Sequence, residues 1–357
     1  MPSQCTPKER VLIAFARQQP DRVPINYSAN PGIDSRLKQH YGLSEDDDEG
    51  LLQALGVDFR GVTAPYVGPK LHAEVPGRHV DLWGIHRRWI THESGGHWDY
   101  CDFPLKDATE EQVAAWPMPS PDDYDYSHVA EVCQRHQAYA VNGSAGFGDI
   151  INGNGMLRTM EQTMIDLITD DPAGLLLADR RMDIQVAVTA RVLEAARGGA
   201  DFLWLGEDLG TQIGPLISMD VFRRHIRPRY ERFCSLARAY DLPVMMHCCG
   251  SSSWAFDEFS AMGIHVVDTL QPEAANMAPE YLKARYGDRL AFHGCISTAG
   301  PVAYGSVQDV VDDCRHTLEV MMPGGGYCFA PTHALQDNSP TENVLAMYET
   351  ARTFGRY

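Results

Sequence analysis

The clearest structural signal in the chain is the stretch Leu242-Pro-Val-Met-Met-His-Cys-Cys-Gly250. Its apolar run, Val244-Met-Met246, lies between a proline and a glycine, which is typical of a strand inside a parallel sheet. His247 and Cys249 are two residues apart, so an extended backbone points both side chains to the same side. Imidazole and thiolate are common zinc ligands. The end of this strand is therefore half of a candidate zinc site, although a packed histidine and cysteine would give the same pattern.

Working outward from this strand, strand and helix patterns alternate along most of the chain. Strand-like segments lie near residues 23, 57, 139, 202, 243, 264, 290 and 327. From the third segment onward each strand is followed by a helical pattern, which requires right-handed crossovers and a parallel sheet. Eight such units predict an α/β fold of the (β/α)8 TIM-barrel type. A doubly wound open sheet is the alternative, but the glycine fingerprint that usually follows an early strand of that fold is missing.

The whole chain, residues 1–357, is predicted to form one barrel domain with two additions. The segment Thr6-Pro-Lys-Glu9 has the cap, proline and glutamate of a helix start, which predicts an N-terminal helical extension. Between the second and third strands, residues from about 62 to 135 contain seven prolines and four of the six tryptophans, which predicts an irregular insertion. The sequence does not decide whether this insertion is a lid, an oligomer surface or a β-rich excursion.

Composition excludes several classes of protein. The formal net charge is −18, which argues against a nucleic-acid partner and disfavours anionic membranes. No apolar run approaches the roughly 18 residues that a membrane span needs. The N-terminal residues lack the pattern of a signal peptide, and the nine cysteines do not have the spacing of a disulfide framework. We therefore expect a cytoplasmic protein whose cysteines are ligands, nucleophiles or core residues.

Polar side chains occupy the predicted strand ends, where a barrel collects its catalytic groups. They are Tyr27, Asn142, Glu207, Asp208, His247, Cys249, Asp268, His293, Cys295 and, just after the last strand, His333. Catalytic zinc commonly takes three protein ligands and keeps one position open, and His247, Cys249 and His333 supply three. Glu207 is a candidate fourth ligand or outer-shell base, and its alternative role is that of a helix-capping carboxylate.

Several segments carry a family resemblance that runs nearly end to end. They are Arg10-Val-Leu-Ile-Ala-Phe15 with Pro20-Asp-Arg-Val-Pro24, residues 201–215, His247-Cys-Cys-Gly250, and Gly324-Gly-Gly-Tyr327 through Glu342-Asn343. In these segments the chain resembles the uroporphyrinogen decarboxylase superfamily. The resemblance implies a (β/α)8 barrel, in agreement with the strand count. That superfamily divides broadly into haem-pathway decarboxylases and zinc-dependent corrinoid methyltransferases.

Two departures favour the methyltransferase branch. The decarboxylases carry an early arginine-rich motif for the substrate carboxylates, whereas the matching stretch Ile25-Asn-Tyr-Ser-Ala-Asn-Pro31 has no arginine. The methyltransferases carry His-x-Cys after the fifth strand, matched here by His247 and Cys249. Their third ligand, often cysteine, follows the eighth strand, and this chain has His333 there. Histidine at that position makes the site harder and less rich in thiolate.

The resemblance implies a zinc-dependent methyltransferase that moves a methyl group between a small O- or S-methyl compound and a corrinoid. Zinc would act as a Lewis acid on the substrate oxygen or sulfur. Glu207 or Asp208 would handle the proton, and Tyr27, Asn142 and His293 would shape the substrate pocket. The corrinoid can arrive on a partner protein, and the tryptophan-rich insertion can cover a homodimer surface.

Two other functions are compatible with parts of the sequence. A metal-free decarboxylase-like lyase acting on a small acid would need basic groups in its pocket, for which Arg60, Arg158 and Arg289 are the candidates. A corrinoid carrier without enzymatic activity would have an Asp-x-His motif in a smaller flavodoxin-like fold, whose pattern this chain lacks.

Overall fold

Parallel strands form the centre of the molecule, as the alternating pattern predicts. The computed structural model describes residues 4–92, 95–146 and 148–357, so the first residues of the N-terminal stretch and two residues of the insertion lie outside the described part. The strands are, in chain order, β1 (Phe59–Gly61), β2 (His79–Val80), β3 (His86–His92), β4 (Gly95–Cys101), β5 (Ala140–Asn142), β6 (Leu203–Gly206), β7 (Val244–Cys248), β8 (Val266–Thr269), β9 (Ala291–Ile296) and β10 (Tyr327–Pro331).

Seven of these strands and one extended segment close into a ring. Strands β6 to β10 form a parallel sheet in sequential order, and β1 pairs in parallel with β5. A parallel bridge between Asn142 and Phe202 joins β5 to the start of β6. A second parallel bridge, between Ile25 and Phe329, joins β10 to the extended segment, and the amide of Asp58 donates to the carbonyl of Ile25 at 2.9 Å. The (β/α)8 prediction is confirmed, with all eight segments at the predicted places.

Helices surround this ring and cover its ends. They are α1 (Pro7–Phe15), α2 (Pro31–Tyr41), α3 (Asp48–Leu55), α4 (Glu110–Ala115), α5 (Val129–Arg135), α6 (Ile150–Arg158), α7 (Met160–Thr169), α8 (Pro172–Ala196), α9 (Met219–Val221), α10 (Arg227–Ala239), α11 (Phe256–Met262), α12 (Pro279–Tyr286), α13 (Pro301–Tyr304), α14 (Val307–Met321) and α15 (Thr341–Phe354). In the described ranges no helix has the length and apolar character to cross a membrane.

One predicted helix is two helices. The apolar pattern over residues 157–168 predicts a single helix, but the chain forms α6 and α7 with Thr159 between them. Thr159 has a φ of +78°, which interrupts the helical backbone, and its hydroxyl then caps α7 by accepting from the amide of Gln162. The predicted helix thus corresponds mainly to α7, and α6, which starts at Ile150 close to the ends of the barrel strands, lies mostly outside the predicted range.

The insertion is more regular than its prolines suggest. Strands β2, β3 and β4 form an antiparallel sheet in which Trp89 lies opposite Trp98. All seven prolines fall outside these paired strands, so none removes a ladder hydrogen bond. A small core that includes Ile85 and Val113 packs against Leu177 of α8. Of the three alternatives left open by the sequence, the β-rich excursion packed onto the barrel is the one observed, with irregular stretches over residues 62–78 and 102–109.

A buried ion-pair network ties the N-terminal extension to the barrel. Asp58 is fully buried, accepts from Arg10 Nη1 at 2.5 Å and from Arg22 Nη1 at 2.8 Å, and also accepts from the amide of Ile25 at 2.8 Å. Arg10 in turn pairs with Asp21 at 2.7 Å. Because these groups come from α1, the first extended segment and the residue before β1, they hold three sequence-distant parts of the ring in register.

Candidate functional site

A cavity of about 350 Å³ lies at the carboxyl ends of the barrel strands, where this fold places its active sites. Its walls come from the ends of β6, β7, β8, β9 and β10 and from the loops that follow the first extended segment and β5. The lining residues are Asn26, Tyr27, Ser28, Asp149, Asn152, Trp204, Gly206, Glu207, Asp208, His247, Asp268, His293, Ala330, Pro331, Thr332, His333 and Ala334.

The three predicted metal ligands converge beside this cavity. Ligand atoms of His247, Cys249 and His333 all lie within 4.8 Å of one another, and Cys249 Sγ is 3.3 Å from His247 Nε2. A tetrahedral zinc ion with its usual bond lengths holds nitrogen and sulfur ligands roughly 3.3–3.8 Å apart. The donor set and the distance between Cys249 and His247 therefore fit zinc, and His247 and His333 also line the cavity.

The strand geometry explains this convergence. His247 is the penultimate residue of β7, and Cys249 comes directly after the strand, two residues further along the chain, the spacing that predicts a shared side. His333 follows β10, three strands away in the sheet, and its ring centroid lies 6.1 Å from that of His247. Burial and the neighbouring His247 lower the pKa of His333, which favours the neutral imidazole that binds metals.

The orientation of His247 is set by a buried carboxylate behind it. Asp268 Oδ2 lies 2.9 Å from His247 Nδ1, and the hydroxyl of Thr269 is 2.8 Å from the same nitrogen. These contacts leave Nε2 directed towards Cys249. A carboxylate that holds the far nitrogen of an imidazole is the usual outer partner of a zinc-bound histidine. The sequence analysis noted Asp268 at a strand end but assigned it no role.

Asp268 also holds His293, whose protonation follows from its neighbours. Asn26 Oδ1 accepts from the amide of Tyr27, so Asn26 Nδ2 faces His293 Nε2 at 3.0 Å and donates to it. The proton of His293 is then on Nδ1, 2.5 Å from Asp268 Oδ1. Burial raises the pKa of Asp268, but the imidazoles of His293 and His247 outweigh burial and hold that pKa well below its usual range. Asp268 is therefore an ionised anchor for two histidines.

Glu207 has both carboxylate oxygens occupied by backbone groups. Oε2 accepts from the amide of Ile150 at 2.8 Å and Oε1 from the amide of Ile151 at 3.0 Å, at the first turn of α6. Burial, and then the charge of Asp149, raise the pKa of Glu207 well above its ordinary value. This is the helix-capping arrangement considered as the alternative in the sequence analysis. Glu207 lines the cavity, but the three-residue cluster of possible metal ligands does not include it.

Asp208 lies closer to the metal-ligand cluster. Its Oδ1 accepts from the amide of Cys249 at 3.0 Å and is 4.0 Å from His247 Nε2. Its Oδ2 accepts from Asn152 at 2.8 Å. Like Glu207, Asp208 is not part of the three-residue cluster, but of the two predicted carboxylates it is the one with an oxygen near a ligand atom, so its position suits a proton acceptor.

Asp149 is a cavity residue that the sequence analysis missed. It follows Gly148 in the loop after β5, has a φ of +39° and caps α6 by accepting from the amide of Asn152. Burial raises its pKa to about 6, although the guanidinium of Arg181 opposes that shift. Arg181 bonds the Asp149 carbonyl oxygen at 3.1 Å and does not line the cavity. The signal in the sequence was a carboxylate soon after the third predicted barrel strand, which is β5.

The predicted substrate-binding residues separate into two groups. Tyr27 and His293 line the cavity, and the hydroxyl of Tyr27 donates to Asp34. Asn142 does not line it. Its amide oxygen accepts from the backbone amide of Trp204 at 3.1 Å. This side chain therefore stabilises the position of β6, and the predicted contact with substrate is not favoured. The ring of Trp204 lines the cavity instead, with its Nε1 donating to Asp268 at 3.0 Å.

The three arginines considered for a lyase lie elsewhere. Arg60 pairs with Glu49 at 2.8 Å, Arg158 with Asp166 at 2.7 Å and Arg289 with Asp257 at 2.6 Å. None of the three lines the cavity. Within the described part of the chain, the lining has neither lysine nor arginine.

A family model and one solved structure agree with this architecture. A family model described as uroporphyrinogen decarboxylase matches residues 148–354, more than half of the chain. A methyltransferase from Methanosarcina mazei has a similar fold, with a TM-score of 0.66 and 18% sequence identity over 98% of this chain and 99% of that one. A 3-keto-D-glucoside 4-epimerase from E. coli matches 63% of this chain and 94% of its own, at 12% identity and a TM-score of 0.35. No curated protein matches the sequence significantly.

Proposed function

Because the chain belongs to the uroporphyrinogen decarboxylase family, we propose that it is an enzyme of the zinc-dependent methyltransferase type. It moves a methyl group between a small O- or S-methyl compound and a corrinoid. The observation that carries this proposal is the convergence of His247, Cys249 and His333 beside the cavity, with Asp268 behind the first imidazole. A family member built only for metal-free chemistry has no need of two imidazoles and a thiol gathered in this way.

Each group near the cavity has a role in this proposal. His247 Nε2, Cys249 Sγ and an imidazole nitrogen of His333 hold the metal. When bound, zinc supplies a Lewis acid that polarises the oxygen or sulfur of the substrate. In the methylating direction Asp208 would accept the proton of the alcohol or thiol, and in the demethylating direction it would give that proton to the departing oxygen or sulfur, because its Oδ1 lies 4.0 Å from His247 Nε2. Glu207 maintains the start of α6 and so the position of Asn152, which binds Asp208.

The size of the cavity supports a small substrate and a separately bound corrinoid. A volume of about 350 Å³ is near the lower end of the range of small-molecule pockets. A corrinoid macrocycle with its side arms is far larger than this space. In the proposal the methyl compound fills the cavity, and the corrinoid approaches its mouth on a partner protein.

The lyase alternative receives less support. Decarboxylation of a small acid by the protein alone needs a cation beside the substrate carboxylate. The described lining contains no lysine or arginine, and each of the three candidate arginines is paired with a carboxylate outside the cavity.

Metal analysis combined with a methyl-transfer assay tests the proposed function. We expect about one zinc per chain, and methyl transfer between reduced cobalamin and at least one member of a panel of methoxy and methylthio compounds. His247→Ala should lose both zinc and transfer. The matched control is His316→Ala, since His316 is on α14 at the surface and pairs with Glu280. If the purified protein holds no zinc and His247→Ala transfers methyl groups as well as the unaltered chain, the proposal is wrong.

A further inference from the structure

The walls of the cavity have an unusual charge distribution. Four carboxylate side chains line it, those of Asp149, Glu207, Asp208 and Asp268, and the lining residues in the described ranges include no lysine or arginine. The remaining walls are aromatic, amide or aliphatic, from Trp204, Tyr27, Asn26, Asn152 and residues 330–334. Because burial raises the pKa of Glu207 well above its ordinary value, the negative charge of the walls comes from Asp149, Asp208 and Asp268. An anionic ligand therefore meets carboxylates and finds no lysine or arginine.

The partners of these carboxylates do not reverse this conclusion. Asp268 is balanced by two imidazoles and an indole, and Glu207 by the amides at the start of α6. Arg181 lies behind Asp149, where it bonds the backbone carbonyl, so it offsets the negative charge without presenting a donor to the cavity. Asp208 receives only neutral donors, from Cys249 and Asn152. None of these carboxylates or their partners offers a bound anion an ion pair supported by hydrogen bonds.

We propose that the cavity selects a small methyl ether or thioether whose non-methyl end is uncharged or cationic, and that it excludes carboxylates and sulfonates. This inference rests on the proposed function and names its substrate class. A lone pair on the ether oxygen or thioether sulfur faces His247, Cys249 and His333. The rest of the molecule packs against Trp204 and Tyr27. The metal ion is the one cation that an anion could reach, and in the proposal the ether oxygen or thioether sulfur occupies its open position. Removing an anion from water into this enclosure is costly because the lining supplies no lysine or arginine to replace its hydration.

An isosteric ligand series measures this selectivity without turnover. 4-Methoxybenzyl alcohol is neutral, 4-methoxybenzylamine is cationic and 4-methoxybenzoate is anionic, while ring and methoxy group are shared. Calorimetric titration of the full chain, as purified and after loading with zinc, is expected to give binding of the alcohol and the amine at least tenfold tighter than that of the benzoate. Equal or tighter binding of the benzoate overturns the inference, and so does the failure of all three ligands to bind.

Two variants identify the source of the selectivity. Asp149→Asn keeps a side chain that caps α6 and tolerates a positive φ, but it removes the charge. It should reduce the ratio of amine to benzoate affinity by about threefold or more, whereas Glu349→Gln, an exposed change on α15, should leave that ratio unchanged. Ser28→Lys adds a cation at an exposed lining position and should raise benzoate affinity. If neither lining variant changes the ratio, the carboxylate walls are not its cause.

The two proposals can fail separately. If zinc binds and methyl transfer occurs, but the benzoate binds as well as the alcohol, only the substrate class is wrong. If the alcohol and amine bind selectively but the protein holds no zinc and transfers no methyl group to cobalamin, the cavity selectivity stands and the proposed reaction is wrong.

Discussion

Asp268 Oδ2 lies 2.9 Å from Nδ1 of His247, and the opposite oxygen of the same carboxylate lies 2.5 Å from Nδ1 of His293. One buried anion on β8 thus orients two imidazoles, one from β7 and one from β9, the strands on either side of it. For His247 the contact fixes which nitrogen is left for a metal, because the occupied Nδ1 cannot also be a ligand. The orientation of the metal-ligand cluster therefore depends on Asp268, although Asp268 is not itself a candidate ligand.

Replacement of this carboxylate should weaken zinc binding. Asp268→Asn keeps the shape of the side chain but removes its charge, so we expect the zinc affinity to fall by about 10–100-fold while the fold is retained. Competition with a chromophoric chelator measures the affinity. Asp288→Asn is the control, because Asp288 is exposed and pairs with Arg289 at the surface. An unchanged affinity in Asp268→Asn would mean that this carboxylate does not orient the ligand.

A single substitution at residue 333 changes the number of thiolates in the metal-ligand cluster. His333→Cys would give two thiolates and one imidazole, which still suit zinc but make the site softer. In the cobalt-substituted protein, the sulfur-to-cobalt charge-transfer absorption should rise roughly twofold relative to the unaltered chain. Cys249→Ser should abolish that absorption. If His333→Cys leaves the absorption unchanged, residue 333 does not contact the ion.

The buried network at Asp58 should be important for stability. Asp58→Ala leaves Arg10 and Arg22 without their common partner, and we expect the free energy of unfolding to fall by about 3–5 kcal/mol, as for other broken buried ion pairs. Urea denaturation followed by circular dichroism measures the change. Asp257→Ala removes the partner of Arg289 in an exposed pair and serves as the control, with little expected effect. Equal effects of the two changes would contradict this role for Asp58.

The neighbouring ion pair between Arg10 and Asp21 should make the stability of the protein depend on pH in the acidic range. Burial pushes the pKa of Asp21 up, but the guanidinium of Arg10 outweighs burial and lowers that pKa below its ordinary value. A lowered pKa in the folded state gives stability that is present at neutral pH and is lost as the pH falls through the acidic range. Asp21→Asn should therefore destabilise the protein by about 1 kcal/mol at pH 7 and by less near pH 3, where urea titrations can still be made. A larger effect at the lower pH would contradict the assignment.

Local patterns were sufficient for the barrel and for the types of metal ligand. Alternating strand and helix periods are properties of short segments, so residues 172–196 and 256–262 could be predicted as helices with their observed ends. His247 and Cys249 share a side because of strand geometry alone. His333 could be added because the ends of all barrel strands meet at one mouth.

The roles of the carboxylates could not be predicted in this way. Glu207 is 57 residues from Ile150, whose amide it binds, and Asp268 is 21 residues from His247. Partners so distant are set by which helix starts beside which strand end, and the helix that starts beside Glu207, α6, was not predicted over residues 150–156. The sequence by itself determined the barrel, which follows from local periodicity, and the candidate ligands at its mouth, which are the residues at the strand ends. Only the tertiary structure decided which carboxylate caps a helix, which orients an imidazole and which is left beside the cavity, because hydrogen-bond partners are fixed by packing between distant segments.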